Sequence, residues 1–145
     1  VEQYIDGREF YVGVMGNDRL QVLPAWEVTL GNMPNNKIAT EKVKWDPAYQ
    51  KKHGIIWKQA EIEGDLESKL KKLSKRIYRR LGLSGYARLD YRVTEQGQPY
   101  LLEANPNPQI AKDDEFASSA KAVGLEYPKL IDKLLRYGLR RAARG

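Results

Sequence analysis

The stretch from Gly85 to Asn105 alternates so regularly about one turn that it can fold as little other than a β-hairpin. Gly85-Tyr86-Ala87-Arg88-Leu89-Asp90-Tyr91-Arg92-Val93 leads in and Pro99-Tyr100-Leu101-Leu102-Glu103-Ala104-Asn105 leads out. Between them, Gln96-Gly97 supplies a residue that tolerates positive φ, as a tight hairpin turn requires. With the turn centred between those two residues, positions whose numbers sum to 193 lie opposite one another. Asp90 then faces Glu103, and Arg88 faces Asn105. Residues two apart share a face of a strand, so all four side chains project from one side of the sheet.

That arrangement has chemical consequences. Two carboxylates placed directly opposite repel unless something cationic lies between them. A hard divalent cation taking oxygen ligands is the natural occupant, held by Asp90 and Glu103 with the Asn105 side-chain carbonyl as third ligand. Arg88, on the adjoining row, would contact the anion that the metal holds. The plainer alternative is a solvated charged face in which Arg88 and Arg92 neutralise the two acids. Asn105-Pro106-Asn107-Pro108 follows at once, a stiff irregular stretch ill suited to a plain surface strand, and it favours the metal site.

A length of 145 residues suits one domain with a real core. The longest apolar runs are far too short to span a membrane. The start, Val1-Glu2-Gln3-Tyr4-Ile5-Asp6-Gly7, has no basic region before an apolar stretch, so no signal peptide is expected. The absence of cysteine removes disulfide scaffolds, thiolate zinc sites and cysteine nucleophiles, and fits a cytoplasmic setting. The net charge of +6 invites a nucleic-acid reading. Its excess gathers in Lys69–Arg80 and Arg136–Arg144 with no recognition motif, so a solvated helix face and a frayed basic tail are expected instead.

Along the chain, Val1–Ile5 reads as a short strand, Glu9–Met15 as a strand, and Leu20–Val28 as another interrupted by Pro24, together an antiparallel meander. In Glu9–Met15, Phe10, Val12 and Val14 share one face while Glu9, Tyr11 and Gly13 share the other. Residues from Leu30 to Gly54 show no clear period, and Ile55–Glu61 reads as a strand or an extended lead-in. Leu66, Leu70, Leu73, Ile77 and Leu81 recur at helical spacing, with Asp65 as N-cap and Gly82 just past the end. Helices are also expected over Asp113–Val123 and over Tyr127–Leu139, the latter with Leu130, Ile131, Leu134 and Leu135 on one face. The fold class is α+β, an antiparallel sheet flanked by helices.

The hairpin motifs Gly85-Tyr86-Ala87-Arg88-Leu89-Asp90 and Tyr100-Leu101-Leu102-Glu103-Ala104-Asn105-Pro106, with Val1-Glu2-Gln3-Tyr4-Ile5-Asp6-Gly7-Arg8-Glu9-Phe10, resemble the C-terminal lobe of ATP-grasp ligases. The likeness is nearest to the D-alanine–D-alanine ligase group and runs in order through most of the chain. It implies that residues 1–145 are one nucleotide- and metal-binding lobe, cut from a larger ligase whose N-terminal and central lobes are its partners. It also implies ATP with magnesium, or manganese, as cofactors, and an amino acid or other carboxylate as substrate, joined through an acyl-phosphate.

By the same resemblance, Asp90, Glu103 and Asn105 hold the metal and Arg88 stabilises the acyl-phosphate. Glu9 meets the ribose hydroxyls. Glu2 and the backbone of Gln3, Tyr4 and Ile5 read the adenine edge. Lys44, with Lys42 as a rival, contacts phosphate. Two departures stand out. Gln109 replaces a glycine of the family pattern, and Lys112-Asp113-Asp114-Glu115-Phe116 lacks the serine-leucine pair that binds product carboxylate, which puts substrate identity in doubt. A non-catalytic domain that keeps the fold and holds only nucleotide or a partner is the competing expectation.

Overall fold

The structure is a computed structural model and describes residues 3–31, 43, 46–62 and 64–143. In chain order the described elements are β1 (Arg8–Met15), β2 (Gln21–Val22), β3 (Trp26–Thr29), α1 (Pro47–His53), β4 (Ile56–Gln59), α2 (Asp65–Arg80), β5 (Tyr86–Val93), β6 (Pro99–Asn105), α3 (Glu115–Ala122) and α4 (Tyr127–Ala142). The strands form one antiparallel sheet in the order β4-β3-β1-β5-β6, with β2 also paired to β1. The expected strand over Val1–Ile5 is not formed where it is described: residues 3–6 are irregular.

β1 is the spine of the sheet. β5 pairs along its whole length, from Arg8 opposite Val93 to Met15 opposite Tyr86. The interruption at Pro24 splits the second expected strand into β2 and β3, which pair with different halves of β1.

The hairpin pairs Arg88 with Asn105, Leu89 with Ala104 and Asp90 with Glu103, as the spacing predicts. Nearer the turn the pairs become Tyr91–Leu101, Arg92–Tyr100 and Val93–Pro99, so Leu102 is an extra residue in a β-bulge. The turn is therefore centred on Gln96, half a residue from its expected place. The bulge restores the predicted register where the four polar side chains lie.

The two sheet faces differ. Phe10, Val12 and Val14 of β1 and Ala87, Leu89, Tyr91 and Val93 of β5 bury against Leu70 and Tyr78 of α2. Each fully buried side chain of this size contributes about 1.5–3 kcal/mol. Polar atoms in this core are satisfied: Ser74 Oγ and Tyr91 OH lie 2.9 Å apart, and Tyr78 OH donates to Gly16 O at 2.9 Å.

On the opposite face the apolar residues divide into two clusters. Met15 and Leu23 pack with Phe116, Ala117 and Ala120 of α3 and Leu130 and Leu134 of α4. Tyr11, Val28, Leu30, Val43 and Ile55 form the second cluster, with Trp26, Tyr49 and Trp57 packed against it. Gly13 permits the first: a Cβ there would lie 2.9 Å from Leu23 Cδ1 and 3.0 Å from Phe116 Cε2.

Helix ends depart from expectation in small ways with clear causes. Gly64, not Asp65, is the N-cap of α2, and Asp65 enters the first turn, where its charge complements the helix dipole. Gly82 takes the left-handed conformation just past the helix end, as expected. Helix α3 starts at Glu115 rather than Asp113, because Ala111 to Asp114 closes a turn in which Asp114 Oδ2 accepts from Ala111 N. Leu130 and Leu134 are buried, but Leu135 is 60% exposed, so the predicted stripe on α4 is only partly covered. Helix α1 is unexpected. Asp46 accepts a hydrogen bond from Tyr49 N at its start, and Gly54 closes it in the left-handed conformation.

Candidate functional site

A cleft of about 1030 Å³ lies between the two clusters on the face of the sheet away from α2. Tyr11 and Arg88 lie on its floor, Trp26, Trp57 and Gln50 on one wall, and the segment from Asn105 to α3 on the other. Arg88, Asp90, Glu103 and Asn105 occupy one face of the hairpin because each same-face pair faces across it.

Within this constellation Arg88 turns back along its own strand. Its Nε and Nη2 donate to the two carboxylate oxygens of Asp90 at 2.8 and 2.9 Å. Its Nη1 lies 3.8 Å from Glu115 Oε2, and its guanidinium carbon sits 4.9 Å from the centroid of the Tyr11 ring. Burial acts to lower the Arg88 pKa, but the hydrogen bonds and charge of Asp90, with Glu115 behind them, hold it above the ordinary guanidinium value. Arg92 does not neutralise Glu103. Its Nη2 donates instead to Glu9 Oε2 at 2.6 Å, on the neighbouring strand. Glu103 is exposed and has no hydrogen-bond or ion-pair partner among the described residues. Arg88 thus neutralises Asp90, which is buried rather than solvated, while the exposed Glu103 is neutralised by neither arginine.

The second oxygen of Glu9 accepts from Tyr11 OH at 2.5 Å, and Glu9 is only 7% exposed. Burial first, then the charge of Glu9 and the hydrogen bond to it, push the Tyr11 phenol far above its ordinary range. The Arg92 guanidinium lies 5.7 Å from the Tyr4 ring, which is exposed. One connected ribbon thus runs across three neighbouring segments, from Tyr4 through Arg92, Glu9, Tyr11 and Arg88 to Asp90. Gln3, Tyr4 and Ile5 are irregular backbone beside its near end. Glu2, Lys44 and its rival Lys42 lie outside the described residues.

The donor set suits a hard cation. Asp90, Glu103 and Asn105 offer only oxygen, and the Asn105 carbonyl otherwise accepts from Asn107 N at 3.0 Å. Each Asp90 oxygen holding Arg88 retains a further lone pair. Among the described residues there is no cluster of three His, Cys, Asp or Glu side chains placed for a metal, so the set rests on two carboxylates and one amide.

Among the described residues the cleft lining carries Glu103, Asp113, Asp114 and Glu115 against one basic side chain, Arg88, although the chain is basic overall. Tyr11, Glu115 and Trp57 were not singled out as site residues from the sequence, and Arg92 was named there only as a partner for the two acids of the hairpin. Alternation already put Tyr11 on the Glu9 face, but only the strand order shows that this face is the cleft. Glu115 carried the weak signal of an acid entering a helix.

The family model described as "D-ala D-ala ligase C-terminus" matches residues 1–136. The chain belongs to this family. It is 34% identical over 142 residues to a D-alanine–D-alanine ligase of Desulfotalea psychrophila, covering 98% of this chain and 42% of that protein. It is 33% identical over 135 residues to the vancomycin C-type resistance protein VanC2 of Enterococcus casseliflavus, covering 93% of this chain and 36% of that protein. Among solved structures it superposes on the D-alanine–D-alanine ligase of Bacillus anthracis complexed with ATP, with a TM-score of 0.75 and 27% identity. That superposition covers 99% of this chain and 42% of the other. The chain thus spans about two-fifths of the length of these relatives. The α+β fold expected from the sequence is the fold of this family.

Proposed function

We propose that the chain is the nucleotide- and metal-binding lobe of an ATP-dependent carboxylate–amine ligase acting through an acyl-phosphate. The observation that carries this reading is the Asp90–Glu103 pair, directly opposed across the hairpin with Glu103 left unpartnered among the described residues. Asp90, Glu103 and Asn105 would hold magnesium or manganese. When bound, the metal neutralises phosphate charge and helps orient a phosphoryl group for transfer. An acid-rich lining argues the same way. Among the described residues, a nucleotide without a divalent cation would meet four carboxylates and one guanidinium that is already paired.

The remaining work falls to this chain's own side chains. Arg88 keeps a permanent positive charge on the cleft floor, suited to an oxyanion developing beside it. Glu9 and the irregular Gln3–Ile5 backbone would take the ribose and adenine end, together with Glu2. Lys44 or Lys42 would meet phosphate. Gln109, Asp113, Asp114 and Glu115 line the same cleft, so the departures from the ligase pattern fall where a substrate would sit, which supports a substrate other than D-alanine. The N-terminal and central lobes of a longer ligase, an amino acid or other carboxylate substrate and a cytoplasmic location belong to the same reading.

One observation favours a second reading. Arg88 is locked to Asp90, the arrangement expected of a domain that binds nucleotide without chemistry. Calorimetric titration of the purified chain tests the first. ATP should bind with magnesium present and not in a chelator. Equal affinity in both would remove the metal site from the reading.

A further inference from the structure

Tyr11 lines the cleft together with Arg88 and also reaches Glu9, which lies outside the cleft lining two residues away on the same strand. Its hydroxyl donates to Glu9, and its ring face carries the Arg88 guanidinium on one side and packs against Trp57, with centroids 5.3 Å apart. The side chain is 1% exposed, so this geometry is held by packing on every side. A hydrogen bond from a hydroxyl to a carboxylate at 2.5 Å is charge-assisted and strong. It pulls the phenol toward phenolate character, makes the ring face more negative and strengthens its hold on a cation. Weakening the bond at Glu9 weakens that hold 4.9 Å from the ring centroid, at Arg88.

We propose that Tyr11 is a positioning residue that couples Glu9 to Arg88, so that a ligand hydroxyl competing for Glu9 loosens the arginine from its seat above the ring. The inference rests on the nucleotide reading of the cleft for its ligand, but the coupling itself is a property of the protein alone. It gives the site an order of events. The sugar end of a nucleotide engages first, and Arg88, still hydrogen-bonded to Asp90, then has a weaker seat on the ring and less to hold it in that pose. The dead-end arrangement seen here, with Arg88 and Asp90 satisfying each other, is thereby the resting state of a site that opens on demand.

The test follows the Arg88 Nε–H resonance in the nitrogen-labelled chain. Glu9→Gln should move this resonance in the wild-type background and leave it in place in a Tyr11→Phe background, where ring and packing remain but the hydroxyl is gone. A resonance that Glu9→Gln leaves unmoved, or moves equally in both backgrounds, overturns the coupling. The first comparison needs no Tyr11 variant, so an unmoved Arg88 resonance overturns the coupling even if Tyr11→Phe does not fold. Adenosine, which has no phosphate to reach Arg88, provides the ligand arm. It should shift the Arg88 resonance in the wild type and lose that effect in Tyr11→Phe. If adenosine binds and Arg88 does not respond, a ligand does not operate the link. If adenosine moves no resonance anywhere, the nucleotide reading of Glu9 fails, a result separate from the Glu9→Gln comparison.

Discussion

The two carboxylates of the hairpin pair are chemically alike but differently placed, and substitution should separate them. Asp90 is 4% exposed and holds Arg88 through both oxygens. Asp90→Asn would leave a mostly buried guanidinium with Glu115 as its one other acidic neighbour among the described residues. A loss of about 3 kcal/mol is expected, the lower end for breaking a buried pair. Glu103 is exposed and unpartnered among the described residues. Glu103→Gln should leave the metal-free fold unchanged or raise its stability by no more than about 0.2–1 kcal/mol, the size of a relieved cross-strand repulsion. It should abolish stabilisation by magnesium. Thermal melts of both variants with and without magnesium check the pair of expectations. A Glu103→Gln protein that melts lower without metal, and gains as much from magnesium as wild type does, would contradict the metal site.

Among the elements, the close approach of α3 to β1 depends on one residue without a side chain. Adding a methyl at Gly13 would press on Phe116 and Leu23, both almost fully buried, so neither can swing into solvent. Gly13→Ala is expected to cost about 1–3 kcal/mol, as overpacked cores do. It should also displace α3, which carries Glu115 beside Arg88, so chemical shifts at the start of α3 should change along with the denaturation midpoint. An unchanged midpoint would mean that the cluster is looser than its geometry indicates. The hairpin and α2 were legible because their periods are strong over many residues. The short α1 was not: only Asp46, Pro47 and Gly54 marked its ends, and a seven-residue helix carries too few apolar positions to show a period.

For the molecule as a whole, the chain spans about two-fifths of its relatives, and a cleft formed by this one lobe leaves a nucleotide partly solvated. The isolated chain should bind Mg-ATP weakly and show no ligase turnover. Phosphate release that depends on an added amino acid, measured with this chain alone, would refute that. A second global property follows from the core opposite the cleft. Burial pushes the phenols of Tyr78 and Tyr91 up to about 12 from an ordinary 10.0, with Ser74 partly opposing the shift at Tyr91. The folded chain keeps these protons longer than the unfolded one. Their contribution is therefore complete below pH 10 and is lost between 10 and 12. Tyr91→Phe should flatten the fall in urea midpoint over that window. A wild-type midpoint constant across it would show that these phenols do not govern alkaline unfolding.

The sequence by itself determined which side chains share a face, since alternation along a strand is a local rule. It placed Arg88, Asp90, Glu103 and Asn105 together, paired them correctly across the hairpin and set the boundaries of α2 to within a residue. Only the tertiary structure decided which charge each of these residues meets. Arg92 finds Glu9 across 83 residues of sequence because β1 lies beside β5, and Glu103 has no partner among the described residues because β6 is the edge of the sheet they form. The turn was misplaced by half a residue, and the bulge at Leu102 compensated, because register answers to sheet packing as well as to the turn. Pairing between distant strands is a long-range choice made by packing the whole core, and no local period in the chain encodes it.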